Sequence, residues 1–189
     1  MTSAVMSQRA LPRSGVVAVL LVIVAAGLTA LAAQWRIHLP FTPVPITGQT
    51  FAVLLTGAGL GWKLGTSGQI LYVAVGALGA PVFSDASGGF EALTGATGGY
   101  LVGFVFAAGL VGWMAEHRQD RKFATMFTAF ILGSVVIYVF GVTGLMISVD
   151  MSLPAAVEAG VVPFLLGDLI KAGAAGILLP GAWKLLGDR

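Results

Sequence analysis

The 189-residue chain contains no cysteine. Disulfides and thiolate metal sites are therefore excluded. Charge is scarce too: Asp, Glu, Lys and Arg make up 10% of the residues, against roughly 25% in a soluble domain. That is too few ionisable groups to cover a water-facing surface. There are only two histidines, His38 and His117. His117 falls in a basic loop, where solvation is the expected state. No P-loop and no HExxH pattern occurs, which argues against a nucleotide site or a zinc hydrolase. No cofactor and no nucleic-acid partner is expected.

What the chain has instead is apolar length. It is 57% hydrophobic, with a mean hydropathy of +0.95. Disordered chains are poor in apolar residues and rich in charge, so disorder is excluded as well. A membrane-spanning helix needs about 20 mostly apolar residues. Six segments qualify or come close: 15–34, 47–62, 64–80, 98–115, 123–149 and 161–183. The second is short for a span. The second and third are separated by Gly61, Trp62 and Lys63 and are expected to form a tight helical hairpin. The reading is an all-α integral membrane protein with six transmembrane helices. Residues 1–14 form a cytoplasmic segment, and residues 15–185 a single transmembrane domain without an obvious internal repeat. Arg9, Arg13 and Ala30-Leu31-Ala32 resemble parts of a cleavable signal. The intervening apolar run exceeds the usual core of about 7–15 residues, so a retained span is expected.

Basic residues orient the spans. With six spans both termini share one side. That side carries Arg9, Arg13, Lys63, Arg118, Arg121, Lys122, Lys184 and Arg189, eight of the ten basic residues. The opposite loops carry only Arg36, with Asp85, Glu91, Asp150 and Glu158. The termini are accordingly placed in the cytoplasm, and the protein in the cytoplasmic (inner) membrane. The outer loop 38–47 holds Pro40, Pro43 and Pro45. It is expected to be extended and stiff, because proline fixes φ and disfavours helix before it. Loop 81–99 is glycine-rich. Segment 150–160 has the makings of a short helix starting at Ser152, with Pro154 in its first turn.

Asp168 and Lys171 lie within the sixth segment. An ionisable group inside a span costs at least about 2.5–3.5 kcal/mol near the bilayer centre. Three residues apart, the two share one helix face. Counted from Val161, Lys171 is expected roughly 15 Å deep at 1.5 Å per residue. Two readings stand: an internal ion pair that neutralises itself, or a polar pocket with an ammonium for an anion and a carboxylate for N–H donors. Gln49, between Thr47 and Thr50, opens the second helix on the outer side and offers both donor and acceptor. Helix capping by Thr47 competes with ligand contact there. Tyr100 begins the fourth span, where an interfacial anchor is the ordinary role. Ala26 and Ala30 stand at i, i+4 on the first helix, a spacing that allows close helix approach in lipid. Gly99 and Gly103 form a similar pair.

The stretches Pro43-Val44-Pro45-Ile46-Thr47-Gly48-Gln49-Thr50, Gly76-Ala77-Leu78-Gly79-Ala80-Pro81-Val82-Phe83, Gly95 to Phe104, and Pro163 to Lys171 resemble, in order and spacing, the BioY family. These are the biotin-specific substrate-binding (S) components of energy-coupling-factor (ECF) transporters. The resemblance runs over about residues 18–182. It implies a six-helix S-component fold with an outward-facing biotin pocket. Asp168 would accept hydrogen bonds from the ureido ring, and Lys171 would pair with the valerate carboxylate. Gln49 and Tyr100 would belong to the same pocket. A polar residue of the third outer loop would also reach the ureido ring, and Ser84 or Asp85 falls in that region. Asp85, as a pure acceptor, would be an imperfect substitute for an asparagine. Ala26 and Ala30 match the first-helix motif that packs against the transmembrane coupling subunit. The implied cycle has biotin binding from outside, the outer loops closing, association with the coupling subunit and two ABC-type ATPases, and toppling in the bilayer to release biotin. ATP is hydrolysed on the partners, so the chain itself is not an enzyme.

Other readings compete. A different anionic vitamin would keep the fold. Cationic thiamine is poorly served by Lys171, and riboflavin has no carboxylate for it. An intramembrane enzyme would use Asp168 and Lys171 as an acid–base pair. An assembly subunit would hold them only as an internal pair.

Overall fold

The computed structural model describes residues 5–10 and 14–186. Arg13 and Arg189, and much of the 1–14 segment, lie outside the described residues. The described chain is helical almost throughout: α1 (Met6–Ala10), α2 (Gly15–Ala33), α3 (Gln49–Leu60), α4 (Trp62–Ala77), α5 (Phe90–Thr94), α6 (Gly98–Glu116), α7 (Phe123–Ser148), α8 (Leu153–Gly160) and α9 (Leu165–Leu185). Four helical stretches are long and apolar enough to cross a membrane: α2, α6, α7, and the run Leu153–Leu185 that joins α8 to α9. At 12 and 16 residues, α3 and α4 are roughly 18 and 24 Å long. Both fall short of a bilayer core of about 30 Å.

The helix boundaries follow local chemistry. The Ser14 side chain accepts from the Val17 amide at 3.2 Å and caps α2. Between α3 and α4 the chain reverses at Gly61, whose φ of +84° is open to glycine and strained for other residues. This is the expected hairpin. α6 is the central helix, packed on α3, α4, α5 and α7. Its approach to α3 is close: a Cβ on Gly57 would come within 2.6 Å of the Ala108 carbonyl oxygen. Lipid supplies little hydrophobic drive between helices, so such small-residue contacts and buried hydrogen bonds carry the association. The wholly buried Gln69 of α4 supplies one set, donating to Thr29 of α2 at 3.2 Å and to Thr56 of α3 at 3.3 Å.

α2 buries only Ala25, Thr29 and Ala33, an i, i+4 stripe against its neighbours. Its remaining face exposes Val16, Val19, Leu20, Ile23, Val24, Leu28 and Leu31, an apolar surface too continuous for water. Ala26 and Ala30 sit at the edge of the buried stripe, half-buried. They border a shallow groove of about 220 Å³ between α2 and α4.

The connections at one end of the bundle are shaped rather than slack. Strands β1 (Arg36–Ile37) and β2 (Ile46–Thr47) pair antiparallel, Arg36 opposite Thr47, and close the proline-rich loop between them. Ser152 precedes α8 in extended conformation, with Pro154 in the first turn as expected. One expectation changes. The sixth segment does not run as one helix from residue 161: α8 ends at Gly160, a 3-10 turn with Pro163 follows, and α9 begins at Leu165. The chain leaves helical geometry at Val161 (φ −125°, ψ −55°), and Pro163 has no amide hydrogen with which to continue the hydrogen bonding of α8. Lys171 therefore stands in the second turn of α9, roughly 9 Å along its axis at 1.5 Å per residue.

Candidate functional site

Asp168 falls in the first turn of α9. There the unpaired amides of the helix start favour negative charge. It is 5% exposed, so its charge needs partners. Lys171 Nζ donates to Asp168 Oδ1 at 3.0 Å. On the other oxygen, Tyr138 Oη donates to Oδ2 at 2.6 Å. Lys171 Nζ also donates to Thr50 Oγ1 at 2.7 Å and to the Thr47 carbonyl at 3.1 Å. The Thr50 hydroxyl faces Asp168 Oδ1 at 3.4 Å. All three ammonium donors thus have acceptors, contributed by α9, α3 and the loop ahead of α3. The arrangement is a neutral pair built from groups distant in sequence. A ligand carboxylate can exchange with the two neutral acceptors of Lys171 without breaking the pair.

Gln49 is buried, and both ends of its amide are held. Nε2 donates to Tyr72 Oη at 2.6 Å, while Oε1 accepts from Thr47 Oγ1 at 3.0 Å. The Gln49 backbone amide also donates to Thr47 Oγ1 at 3.3 Å, a local turn contact; the N-cap of α3 is Gly48, and no side chain caps the helix. Tyr72 in turn donates to the Val82 carbonyl at 3.2 Å, which fixes the loop that follows α4. Tyr100 is 7% exposed and donates to the Gly160 carbonyl at 2.8 Å, binding α6 to the end of α8. It is a buried strut rather than an interfacial anchor.

These residues converge on one pocket. Asp168, Lys171, Gln49, Thr50, Tyr100, Tyr138 and Ser84 line it, with apolar walls from Val44, Phe83, Leu101, Phe104, Ile137 and Phe164. The cavity is small, about 50 Å³, where a site for a small organic molecule usually holds roughly 300–1,000 Å³. As it stands the cavity is too small to hold such a molecule.

Asp85 is not part of the lining. Its carboxylate is half exposed and turned away from the pocket, 2.5 Å from Arg36 Nε and 3.0 Å from His38 Nε2. Its neighbour Ser84 faces the pocket. Arg36 is thereby accounted for: it ties the loop after α4 to β1. The sequence reading did not single out Tyr138. A tyrosine midway along a 26-residue helix is far from the interfacial level where tyrosines normally serve, and that position was the available signal. Among the described residues no group of three or more His, Cys, Asp or Glu could hold a metal ion.

Comparison with known proteins gives a consistent result. A family model described as the BioY family matches residues 4–188. A "Biotin transporter BioY" of Thermotoga maritima is 39% identical over 81% of this chain and 89% of its own length. One of Rhizobium etli is 35% identical over 85% and 89%. A "Probable biotin transporter BioY" of Pyrococcus horikoshii is 38% identical over 80% and 86%. Among solved structures, the crystal structure of an S-component for biotin from an ECF-type ABC transporter superposes with a TM-score of 0.81. It covers 92% of this chain and 95% of the other at 22% identity, a likeness of fold.

Proposed function

The chain belongs to the BioY family, and from that premise we propose that it binds biotin and mediates its uptake across the cytoplasmic membrane as the S component of an ECF transporter. Partner subunits, a transmembrane coupling protein and ABC-type ATPases, supply the ATP hydrolysis. The observation that carries the reading is the Asp168–Lys171–Tyr138–Thr50 constellation in an apolar-walled pocket. Biotin has the complementary parts: a carboxylate for the ammonium, ureido N–H groups for the aspartate, and an apolar ring and tail for the walls.

In this reading Lys171 Nζ gives up its contacts to Thr50 and the Thr47 carbonyl for the valerate carboxylate. Asp168 accepts from the ureido ring, oriented by Tyr138. Gln49, Tyr100 and Ser84 complete the lining. Ser84 takes the loop contact in preference to Asp85, whose carboxylate is engaged by Arg36. Residues 15–185 act as one six-span domain, with α2, α3, α4, α6, α7 and α9 as the crossings. Trp62 and Lys63 turn the α3–α4 hairpin at the cytoplasmic face, and both termini lie on that side. Ala26 and Ala30, at the rim of the groove on α2, dock the coupling subunit.

The test is calorimetric titration of biotin into the purified protein in detergent. Saturable binding, with the ligand recovered chemically unchanged, is expected. A folded, monodisperse protein that takes up no biotin overturns the substrate assignment and turns attention to other carboxylated vitamins. The absence of cysteine makes single-cysteine labelling a clean check of topology. Ser14→Cys and Lys184→Cys should react only from the cytoplasm, and Asp150→Cys only from outside.

A further inference from the structure

At the opposite end of the bundle, four basic side chains line a cleft of about 850 Å³: Arg118, Arg121, Lys122 and Lys184, with Gln119, Thr125, Pro180 and Trp183. Its floor is built. Asp120 is wholly buried and accepts a hydrogen bond from Trp183 Nε1 at 2.5 Å. The Arg121 guanidinium stacks 3.4 Å from the centre of the Trp183 ring, with Nε 3.4 Å from Asp120 Oδ1. This fixes the α6–α7 turn against the last turns of α9. Even with Asp120 set against Arg121, three cations remain. Arg118, Lys122 and Lys184 form no ion pair with a carboxylate among the described residues.

Two further observations give the cleft a purpose. Arg118 has φ +67°, a conformation costly for a side chain-bearing residue. Its amide donates to the Ala115 carbonyl at 2.8 Å and that of Gln119 to the Met114 carbonyl at 3.1 Å. That closes α6 at a position where glycine is the usual choice. An arginine kept where glycine would relax the backbone points to a role for its charge. The level is also informative. Trp62 and Trp113 are about half exposed at this end, as tryptophans are at the membrane–water boundary. Arg118 follows Trp113 within two turns, so the cleft opens at the end of the bundle that these tryptophans mark.

We infer that this cleft is a binding site for the phosphate of an anionic phospholipid of the cytoplasmic leaflet, with Arg118, Lys122 and Lys184 as the cations and the Trp183–Arg121 stack as its floor. Phosphate geometry suits a cluster of Arg and Lys donors. Basic pockets between transmembrane helices on the cytoplasmic side bind lipid headgroups, and a Lys or Arg near an anionic membrane surface is worth about 1 kcal/mol.

Native mass spectrometry and thermal unfolding test this with dioleoylphosphatidylglycerol, dioleoylphosphatidylcholine and inorganic phosphate as probes. Phosphatidylglycerol should bind and raise the melting temperature well beyond phosphatidylcholine, less so at high salt. The triple variant Arg118→Gly, Lys122→Gln, Lys184→Gln should lose roughly 100-fold in phosphatidylglycerol affinity, three cations at about 1 kcal/mol each. Arg118→Gly alone separates fold from site. It should keep or raise the melting temperature in phosphatidylcholine while weakening phosphatidylglycerol binding about fivefold. Equal binding of the two lipids, or an unchanged preference in the triple variant, overturns the proposal. A matching shift from inorganic phosphate alone overturns the lipid assignment.

Discussion

Removing the Lys171 ammonium is the sharpest perturbation of the pocket. Its Nζ lies 2.7 Å from Thr50 Oγ1, 3.0 Å from Asp168 Oδ1 and 3.1 Å from the Thr47 carbonyl. The side chain is only 20% exposed. Truncating one partner of a buried, hydrogen-bonded charge pair costs about 2–5 kcal/mol. With a fifth of the side chain in contact with solvent, the lower half of that range applies, about 2–3 kcal/mol, or roughly 30- to 150-fold in affinity. Asp168 then also repels an incoming carboxylate without the compensating ammonium. A neutral ester forfeits a single ordinary hydrogen bond, about 0.5–1.5 kcal/mol or roughly 2- to 12-fold. Lys171→Ala should therefore weaken biotin roughly tenfold more than biotin methyl ester, the difference of about 1.5 kcal/mol between the middles of those two ranges. Calorimetry with both ligands on both proteins reads this directly. Lys171→Met, which keeps the aliphatic stem, serves if the alanine variant unfolds. Equal losses for acid and ester would refute the carboxylate pairing.

Other expectations follow from the same geometry. Tyr138→Phe removes the 2.6 Å bond to Asp168 Oδ2 and should weaken biotin about three- to tenfold, about 1 kcal/mol; unchanged affinity would remove Tyr138 from the positioning of Asp168. Ala26→Leu with Ala30→Leu fills the rim of the α2–α4 groove and should leave biotin binding intact while blocking uptake in reconstituted vesicles; normal uptake would remove the docking role from that face. Burial holds the Asp120 carboxyl above its usual 3.8, outweighing the opposing Trp183 hydrogen bond and Arg121 charge. A raised folded-state pKa favours the neutral acid, so stability present below 3.8 is lost as pH rises through the folded value. Relative to Asp120→Asn, the native protein should lose melting temperature from acid to neutral pH; parallel curves would show that the buried carboxylate carries no such penalty.

Much was legible in the sequence because lipid imposes simple rules. A shortage of charge and long apolar runs determined the membrane class. Glycine at 61 marks a real break, because it acts through its own backbone, whereas the break at Pro163 inside the sixth segment was not read from the sequence. Asp168 and Lys171 stood out because charge is scarce in apolar helices, and their spacing put them on one face. Ala26 and Ala30 were legible as a spacing, whereas the fully buried stripe of α2 is Ala25, Thr29 and Ala33. Rotation of a uniformly apolar helix leaves no trace in its pattern.

Tertiary structure alone decided the rest. It brought Tyr138 and Thr50 onto Asp168 and Lys171 from helices tens of residues away. It turned Asp85 outward to Arg36 and left Ser84 facing the pocket, a choice between adjacent residues that depends on local φ and ψ. It made Tyr100 a buried strut by placing a carbonyl of α8 within its reach. It also set Lys184 and Trp183 of α9 against the basic turn between α6 and α7. Sequence reports which groups are costly to bury, since that cost belongs to each side chain. Which partners offset the cost depends on where the helices meet, and only packing sets that.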